Sequence, residues 1–312
     1  MKKVILFLPF ILFFFLGYKL LLSYEPSFQF YHWKQVYQEH NESNSPKYIK
    51  ILDIYFSQNL KIQQTVFKTE PKSMTAIIYI DNGVFKQLKA STLLKKLKPK
   101  LESFSTIEYR EIQVDCDWTP KTQKRYFAFL KLLKEESKKK ISATIRLHQV
   151  KYYKKTGVPP VDYGVLMYYN MSDFLDINTK NYILDLDVAK KYHYNFDTYP
   201  LELNLALPLY SQASIIRFSK VVGAVEGMRV GDINENFKKI KENLYEIKKT
   251  DYFNSKLLYQ GDKIRIDEVS IQDLQNALDG LKKVMKKPRE ILFYRWGNRK
   301  DYKKGFEKEL LW

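Results

Sequence analysis

The 312-residue sequence predicts a (β/α)8 barrel of the TIM type, with an insertion before its last strand. Three observations predict this fold. Eight segments show the alternating or continuous apolar pattern of strands, helical patterns lie between several of them, and residues 210–267 interrupt the order before the last helix and strand. Strands that alternate with helices indicate a parallel sheet, and eight such units close into a barrel.

The predicted strands follow in chain order. They are Gln29–Tyr37, Tyr48–Phe56, Thr75–Asp81, Arg110–Trp118, Ser142–Gln149, Gly164–Asn170, Leu201–Leu207 and Glu290–Trp296. The predicted helices are Leu88–Phe104, Thr122–Ser137, Asn181–Tyr192, Ser270–Met285 and Lys300–Leu311. The connections after the first, second and fifth strands are too short or too irregular for full helices, so the barrel is expected to be distorted there.

The N-terminus has the pattern of an export signal. Lys2 and Lys3 precede an apolar run that continues to Leu22, about twenty residues and therefore long enough to span a membrane. Residues 1–23 are expected to be a signal or membrane anchor, and residues 24–312 a barrel domain that lies outside the cytoplasm. The absence of a small-x-small cleavage site favours an anchor at residues 4–22, and secretion after cleavage stays open.

Composition limits the partners of the domain. The formal net charge is +18, but the lysines are scattered and no nucleic-acid-binding motif is present, so we expect no nucleic-acid partner and instead a basic surface near anionic membrane or cell wall. Four histidines and one cysteine without clustered spacing predict neither a metal site nor a cofactor. The sequence does not predict the oligomeric state.

Glu111–Trp118 carries the strongest indication of a functional site. Ile112, Val114 and Cys116 alternate with Gln113, Asp115 and Asp117, so on a strand the two aspartates share one face. Their Cα atoms would be roughly 6.5–7 Å apart, close enough for their titrations to couple. We expect a site at the carboxyl ends of the strands, where barrel enzymes hold their catalytic residues.

Other side chains are expected to point into the same end of the barrel. They are Trp33, Gln113, Thr144, Arg146, His148, Tyr169, Asn170, Glu202, Asn204, Tyr294 and Trp296. Carboxylates, amides and aromatic rings suit a polyhydroxylated ring, because acids transfer protons and aromatic rings pack on its apolar face.

Structural interpretations compete with the functional ones. Glu202 and Arg146 together could form a buried salt bridge in a barrel layer, since interior charges are usually paired. His148 could be a hydrogen-bonded histidine at a strand end, and Trp33 and Trp296 could be core residues. Cys116 lies on the apolar face of its strand, which favours a buried small side chain.

Three short motifs resemble chitinase-like glycoside hydrolases of family eighteen. Val114-Asp-Cys-Asp-Trp-Thr119 is similar to the family's Asp-x-Asp-x-Glu motif, Met167-Tyr-Tyr-Asn170 to its sixth-strand motif, and Trp296 to its floor tryptophan. Thr144–Gln149, Thr156–Pro160 and Ala206–Pro208 also resemble a family of uncharacterised bacterial exported, membrane-anchored proteins with glycosidase-like barrels.

The resemblance implies a glycoside-hydrolase-like barrel that acts on extracytoplasmic glycan. The family's general-acid glutamate falls at Thr119, however, and a threonine hydroxyl is too weak an acid to protonate a leaving oxygen. Asp117 could replace it, with Asp115 tuning its proton affinity, or a carboxylate from elsewhere could complete the pair; the candidates are Asp267, Glu268 and Glu202. The alternative is a catalytically inactive carbohydrate-binding barrel at the cell surface.

Overall fold

The computed structural model describes residues 24–38 and 45–312, and its largest element is a closed barrel of eight parallel strands. In chain order the strands are β1 (Ser27–His32), β2 (Tyr48–Ser57), β3 (Thr75–Ile80), β4 (Glu111–Asp115), β5 (Lys140–Arg146), β6 (Tyr163–Met167), β7 (Leu203–Pro208) and β8 (Glu290–Tyr294). Because β1 pairs with both β8 and β2, the ring of strands has no free edge. The predicted (β/α)8 barrel is confirmed.

Helices cover the outside of the barrel from β3 onward. They are Val84–Gln87 and Ala90–Glu102 after β3, Gln123–Ser137 after β4, Leu147–Lys151 and Tyr153–Thr156 after β5, Leu186–Lys190 after β6, and Ile271–Leu281 before β8. The helix Gln123–Ser137 buries Tyr126, Phe129, Leu130 and Leu133, the residues that recur at helical spacing. Ser270 begins the last helix with a capping box, because its hydroxyl accepts from the Asp273 backbone N–H while the Asp273 carboxylate accepts from the Ser270 N–H.

The first third of the barrel has strands in place of helices. β2 turns at Gln58, which has a φ of 61°, into the antiparallel strand Asn59–Gln64. Val36–Tyr37 and Val66–Phe67 form a separate two-stranded parallel sheet. Between β1 and β2, and between β2 and β3, the described residues contain no helix, as the short connections predicted.

The insertion between β7 and the last helix is a five-stranded antiparallel sheet with its own apolar core. Its strands, in spatial order, are Lys220–Glu226, Gln212–Arg217, Lys263–Asp267, Leu244–Ile247 and Phe237–Lys241. A hairpin, Asp251–Phe253 with Lys256–Leu258, and a 3-10 turn, Val230–Asp232, complete this segment.

The predicted C-terminal helix Lys300–Leu311 is wrong. The chain forms two 3-10 segments there, Trp296–Asp301 and Phe306–Glu309, separated by Gly305 with a φ of 82°. A left-handed residue breaks a helix, and glycine adopts it without steric cost. The ring of Phe306 packs edge-on against Phe293 of β8 at 5.2 Å and holds the tail on the barrel.

The predicted membrane segment, residues 4–22, lies outside the described residues. Within residues 24–38 and 45–312, no helix combines the length and the hydropathy needed to cross a bilayer.

A polar network fills the amino end of the barrel. Ser142 donates to Glu111 at 2.7 Å, Tyr163 donates to the same carboxylate, and Tyr48 donates to Glu290. These hydrogen bonds close the barrel from below. The open end, which we call the barrel mouth, is formed by the carboxyl ends of β1–β8.

We expect Leu97→Ala to lower the free energy of unfolding by about 2–5 kcal/mol. Leu97 is fully buried between its helix and the barrel, so the substitution removes apolar contacts and leaves a cavity. Denaturant unfolding measures the loss. Lys96→Ala, at the exposed neighbouring position, should change the free energy by less than about 0.5 kcal/mol; an equal loss in both variants would contradict this packing.

Candidate functional site

Asp115 is the last residue of β4 and lies at the base of the barrel mouth, 7% exposed. The Thr144 hydroxyl on β5 donates to its Oδ1 at 2.6 Å. Burial and the nearby charge of Asp117 raise the pKa of Asp115 to about 6, against the opposing effects of Thr144, Arg146 and Lys50. A carboxyl group with that pKa gains and loses a proton near neutral pH.

Asp117 lies two residues beyond the end of β4 and is paired with Arg146. Arg146 Nε and Nη2 donate to the two carboxylate oxygens, each at 2.7 Å. Burial alone would lower the pKa of Arg146, but the hydrogen bonds and charge of Asp117 raise it above its usual value. One guanidinium group therefore occupies both carboxylate oxygens of Asp117, whereas Asp115 Oδ2 has no donor in the described part of the chain.

Aromatic rings form one wall of the barrel mouth. Trp33, at the end of β1, packs edge-on against Tyr294 at 5.5 Å and Tyr79 at 6.4 Å. Tyr169 stacks on Tyr294 with ring centroids 5.5 Å apart and an interplanar angle of 16°. Trp33, Tyr79 and Tyr294 are half-buried, so parts of their rings face the opening. We call Trp33, Tyr79, Tyr169 and Tyr294 the aromatic wall.

Lys50 and Asp53 on β2 are site residues that the sequence did not reveal. A β-bulge lies between Lys50 and Leu52, so Lys50 pairs in register with Ile77 and Asp53 with Tyr79. The extra residue lets two side chains three positions apart both point inward. Lys50 Nζ then lies 2.8 Å from Asp53 Oδ2 and 5.2 Å from the centre of the Trp33 ring.

Asp53 also accepts a hydrogen bond from the Gln35 side chain, which lies two residues after Trp33. Lys50 therefore contacts the Trp33 ring as a cation, while Asp53, held by Gln35, fixes the position of the lysine. The sequence contained one indication of this pair. The segment Tyr48–Ile54, which is buried throughout, is apolar except for the two opposite charges of Lys50 and Asp53. Because buried charges are usually paired, this composition could have predicted the salt bridge.

Thr119, at the position of the family's general acid, belongs to a turn. Its hydroxyl and its backbone N–H lie 3.2 and 3.0 Å from Thr122 Oγ1, and Thr122 donates to Asn82 at 2.5 Å. Trp118 is buried and donates its indole N–H to the Thr156 carbonyl at 3.1 Å. These contacts fix the start of helix Gln123–Ser137 and bring no carboxyl group to this position.

Three more of the expected residues lie near the mouth in supporting positions. Asn170, with a φ of 55°, accepts a hydrogen bond from Tyr210 and so ties the end of β6 to the insertion. Gln113 is fully buried below Asp115 and accepts from the Tyr31 hydroxyl at 2.8 Å. His148 is largely exposed, and partial desolvation of its ring by the neighbouring protein, together with the charge of Arg146, lowers its pKa.

The sequence predicted that His148 and Trp296 lie on strands, and this prediction is wrong. β5 ends at Arg146, so His148 belongs to the helix Leu147–Lys151. β8 ends at Tyr294, and Trp296 is buried with its ring 5.1 Å from Phe30 on the outer side of the barrel. Tyr294 therefore takes the place in the aromatic wall that Trp296 was expected to fill.

The structure separates Glu202 and Asn204 from Asp115. Both lie at the amino end of β7, where Asn204 accepts from the backbone N–H groups of Arg289 and Glu290 at 3.2 and 3.1 Å. Glu202 is 70% exposed and pairs with Arg289 at 2.9 Å, so the expected Glu202–Arg146 salt bridge is wrong. The alternating pattern of this strand was predicted correctly, but Glu202 and Asn204 lie at the end of the barrel opposite the mouth.

The acids at the end of the insertion are also committed to other partners. Glu268 pairs with Arg229 at 3.4 Å and accepts from the Val230 N–H at 3.3 Å. Asp267 is fully buried beside Arg265 at 3.1 Å, and burial raises its pKa to about 6. Asp267 has no exposed surface and so cannot touch a ligand in the barrel mouth, whereas Asp115 keeps 7% of its surface exposed.

Comparisons with known proteins identify no family. No protein-family model matches the chain, and no curated protein matches it, so the resemblance to family eighteen is not confirmed. The solved structure of the spore cortex-lytic enzyme SleL of Bacillus cereus is similar, with a TM-score of 0.49 and 15% identity over 81% of this chain. This chain spans 64% of that enzyme, less than two thirds of its length.

A second similar structure is ydhD of Bacillus subtilis, described as a sporulation-specific glycosylase. It matches with a TM-score of 0.45 and 13% identity over 70% of this chain and 78% of its own. At these identities and TM-scores the likeness says nothing of the site, whose chemistry depends on its own residues.

We expect Thr144→Val to raise the pKa of Asp115 above its value of about 6. The threonine hydroxyl donates to the carboxylate and so favours its ionised form, which valine cannot do. NMR titration of the aspartate side-chain carboxyl carbons measures the change. Ser142→Ala removes a hydroxyl from the same strand that bonds to Glu111 instead, and it should leave Asp115 unchanged.

Proposed function

We propose that the barrel mouth binds a carbohydrate. The observation that carries the proposal is the aromatic wall standing beside Asp115, a buried carboxyl group. Flat rings offer an apolar surface to one face of a sugar, and a carboxyl oxygen accepts hydrogen bonds from its hydroxyl groups. Thr144 Oγ1 is the one hydrogen-bond donor to Asp115 in the described part of the chain, and it uses Oδ1.

Binding without hydrolysis is the function that the geometry supports best. A glycosidase needs a carboxylic acid that can protonate the leaving oxygen and a second carboxylate that assists the attack. Arg146 holds both oxygens of Asp117, Thr119 is no acid, and Asp267 is fully buried. Glu202 lies at the other end of the barrel.

Hydrolysis is the second candidate, and the pKa of Asp115 favours it. A value of about 6 leaves a substantial part of this carboxyl group protonated at mildly acidic pH, so Asp115 could act as the acid. Asp117, paired with Arg146, would then supply the negative charge that stabilises a cationic transition state.

We also propose that the domain lies outside the cytoplasm, held by residues 4–22 or released after their cleavage. The apolar run after Lys2 and Lys3 supports this. Because β1 starts at Ser27, the chain enters the barrel at its amino end. If the anchor is retained, the barrel mouth opens on the side away from the membrane, toward extracytoplasmic glycan.

We expect Trp33→Leu to weaken carbohydrate binding by about tenfold or more, because leucine is apolar but offers no flat ring. Titration calorimetry with the tetramer of β-1,4-linked N-acetylglucosamine as the probe measures the loss. Trp312→Leu is the matched control, since Trp312 is also partly buried but lies beside Leu311, which bonds to Gln275 on the outer helix. Equal losses in both variants, or no binding by the unaltered protein to this tetramer or to an array of other glycans, would contradict the proposal.

Asp115→Asn separates the two candidate functions. A hydrolase should lose at least about a hundredfold in turnover, because asparagine transfers no proton, while it keeps its affinity. A binding barrel should show no release of reducing sugar before or after the substitution, and only its affinity should change. The assay is reducing-end release from the same tetramer between pH 5 and 8, where a hydrolase that uses Asp115 as its acid should lose activity above about pH 6.

A further inference from the structure

A cationic cavity of about 240 Å³ lies beside the aromatic wall. Lys34 follows Trp33 of the wall directly, and Arg295 follows Tyr294. Asn298, Lys300 and Asp301 line the cavity together with these two residues, and Gly227 of the insertion completes it. Because β1 and β8 pair in parallel and both end at the barrel mouth, residues that follow them place the cavity at the rim of the mouth, next to Trp33 and Tyr294.

Two cations of the cavity have no counterion among residues 24–38 and 45–312. Arg295 is engaged, since it donates to Asn298 Oδ1 at 3.1 Å and to the carboxylate of Glu226. Lys34 and Lys300 form no ion pair with any residue in the described ranges, Asp301 included. The lining therefore contains two unpaired ammonium groups, of Lys34 and Lys300, and one carboxylate, of Asp301. This excess of positive charge favours binding of an anion.

Gly297 helps to place the first of these ammonium groups. A Cβ atom at this position would lie 3.4 Å from Lys34 Cε and 3.7 Å from Lys34 Nζ, so the lysine packs directly over the glycine. Both separations are ordinary van der Waals contacts, so the lysine stem rests against the backbone of the cavity wall.

The cavity has the size of a charged substituent and its water. One water molecule occupies about 30 Å³ in the liquid, whereas pockets for whole drug-sized ligands start at about 300 Å³. A volume of about 240 Å³ therefore has room for a carboxylate or phosphate group together with several water molecules.

We propose that this cavity binds the acidic substituent of the glycan whose ring packs on the aromatic wall. The ligand class is then an acidic glycan that carries a carboxylate or a phosphate group. This inference rests on the carbohydrate-binding function proposed above and adds its specificity: Trp33 contacts the ring, and Lys34 and Lys300 contact the anion. The formal net charge of +18 would also attract such a polymer.

The test compares three tetrasaccharides by titration calorimetry with the full chain. One is the neutral N-acetylglucosamine tetramer, the second carries lactyl carboxylates on alternate rings, and the third carries one phosphate group. We expect one or both acidic tetramers to bind about tenfold more tightly than the neutral one, and the difference to shrink in 0.5 M salt because exposed charges are screened. The stronger of the two acidic ligands identifies the substituent.

The double variant Lys34→Met/Lys300→Met should remove this preference and leave binding of the neutral tetramer unchanged. Lys304→Met/Lys308→Met is the control, since both lysines are exposed, lie outside the cavity and carry the same charge. Retained binding of the neutral tetramer also shows that the double variant folds. Equal affinity of the unaltered protein for all three tetramers would overturn the cavity proposal and leave the carbohydrate proposal standing.

If no tetramer binds, the carbohydrate function fails and the cavity is tested alone. Inorganic phosphate should then shift the side-chain NMR signals of Lys34 and Lys300 in the unaltered protein, and the control variant should respond in the same way. Absence of a shift at both lysines would overturn the cavity as an anion site.

Discussion

Burial of the Asp115 carboxyl group at the end of β4 is the constraint around which the barrel mouth is organised. A carboxylate loses its hydration when it is enclosed by protein, and this loss favours the protonated form. The Thr144 hydroxyl and the positive charges of Arg146 and Lys50 offset part of the cost. The result is a group whose proton is exchangeable near neutrality, held in place by the parallel register of β4 and β5.

Two salt bridges flank Asp115, and each positions a different part of the mouth. The Asp117–Arg146 pair lies at the outer rim, where its bidentate geometry fixes the loop after β4. The Lys50–Asp53 pair lies against Trp33 and fixes the tryptophan ring at the end of β1. Because both cations already have carboxylate partners, an acidic ligand has to find its counterions elsewhere. The cavity at the rim of the mouth offers them at Lys34 and Lys300.

The sequence predicted those features that follow from the periodic spacing of apolar residues in a strand or a helix. Alternation in Glu111–Trp118 predicted correctly that Gln113 and Asp115 face the barrel interior, and helical spacing predicted the helix Gln123–Ser137. Alternation does not say which end of a strand a residue occupies, so Glu202 was assigned to the mouth although it lies at the amino end of β7. Strand ends were also overestimated, which misplaced His148 and Trp296.

The pair formed by Lys50 and Asp53 shows a different limit. Residues three apart face opposite sides of a regular strand, and only the bulge between Lys50 and Leu52 turns both inward. A strict period of two therefore hides the pair. The C-terminal segment failed as a predicted helix for a related reason, because the left-handed conformation at Gly305 is a tertiary feature that the apolar spacing of 300–311 does not encode.

The most direct test of the central claim is a crystal structure of the protein with a bound oligosaccharide. The account predicts a sugar ring packed on Trp33 and Tyr294, with a hydroxyl or amide group within about 2.6–3.2 Å of an Asp115 carboxyl oxygen. Its acidic substituent, where the sugar carries one, should lie between Lys34 and Lys300. A saccharide bound at any other surface, with the barrel mouth filled by water alone, would contradict the account.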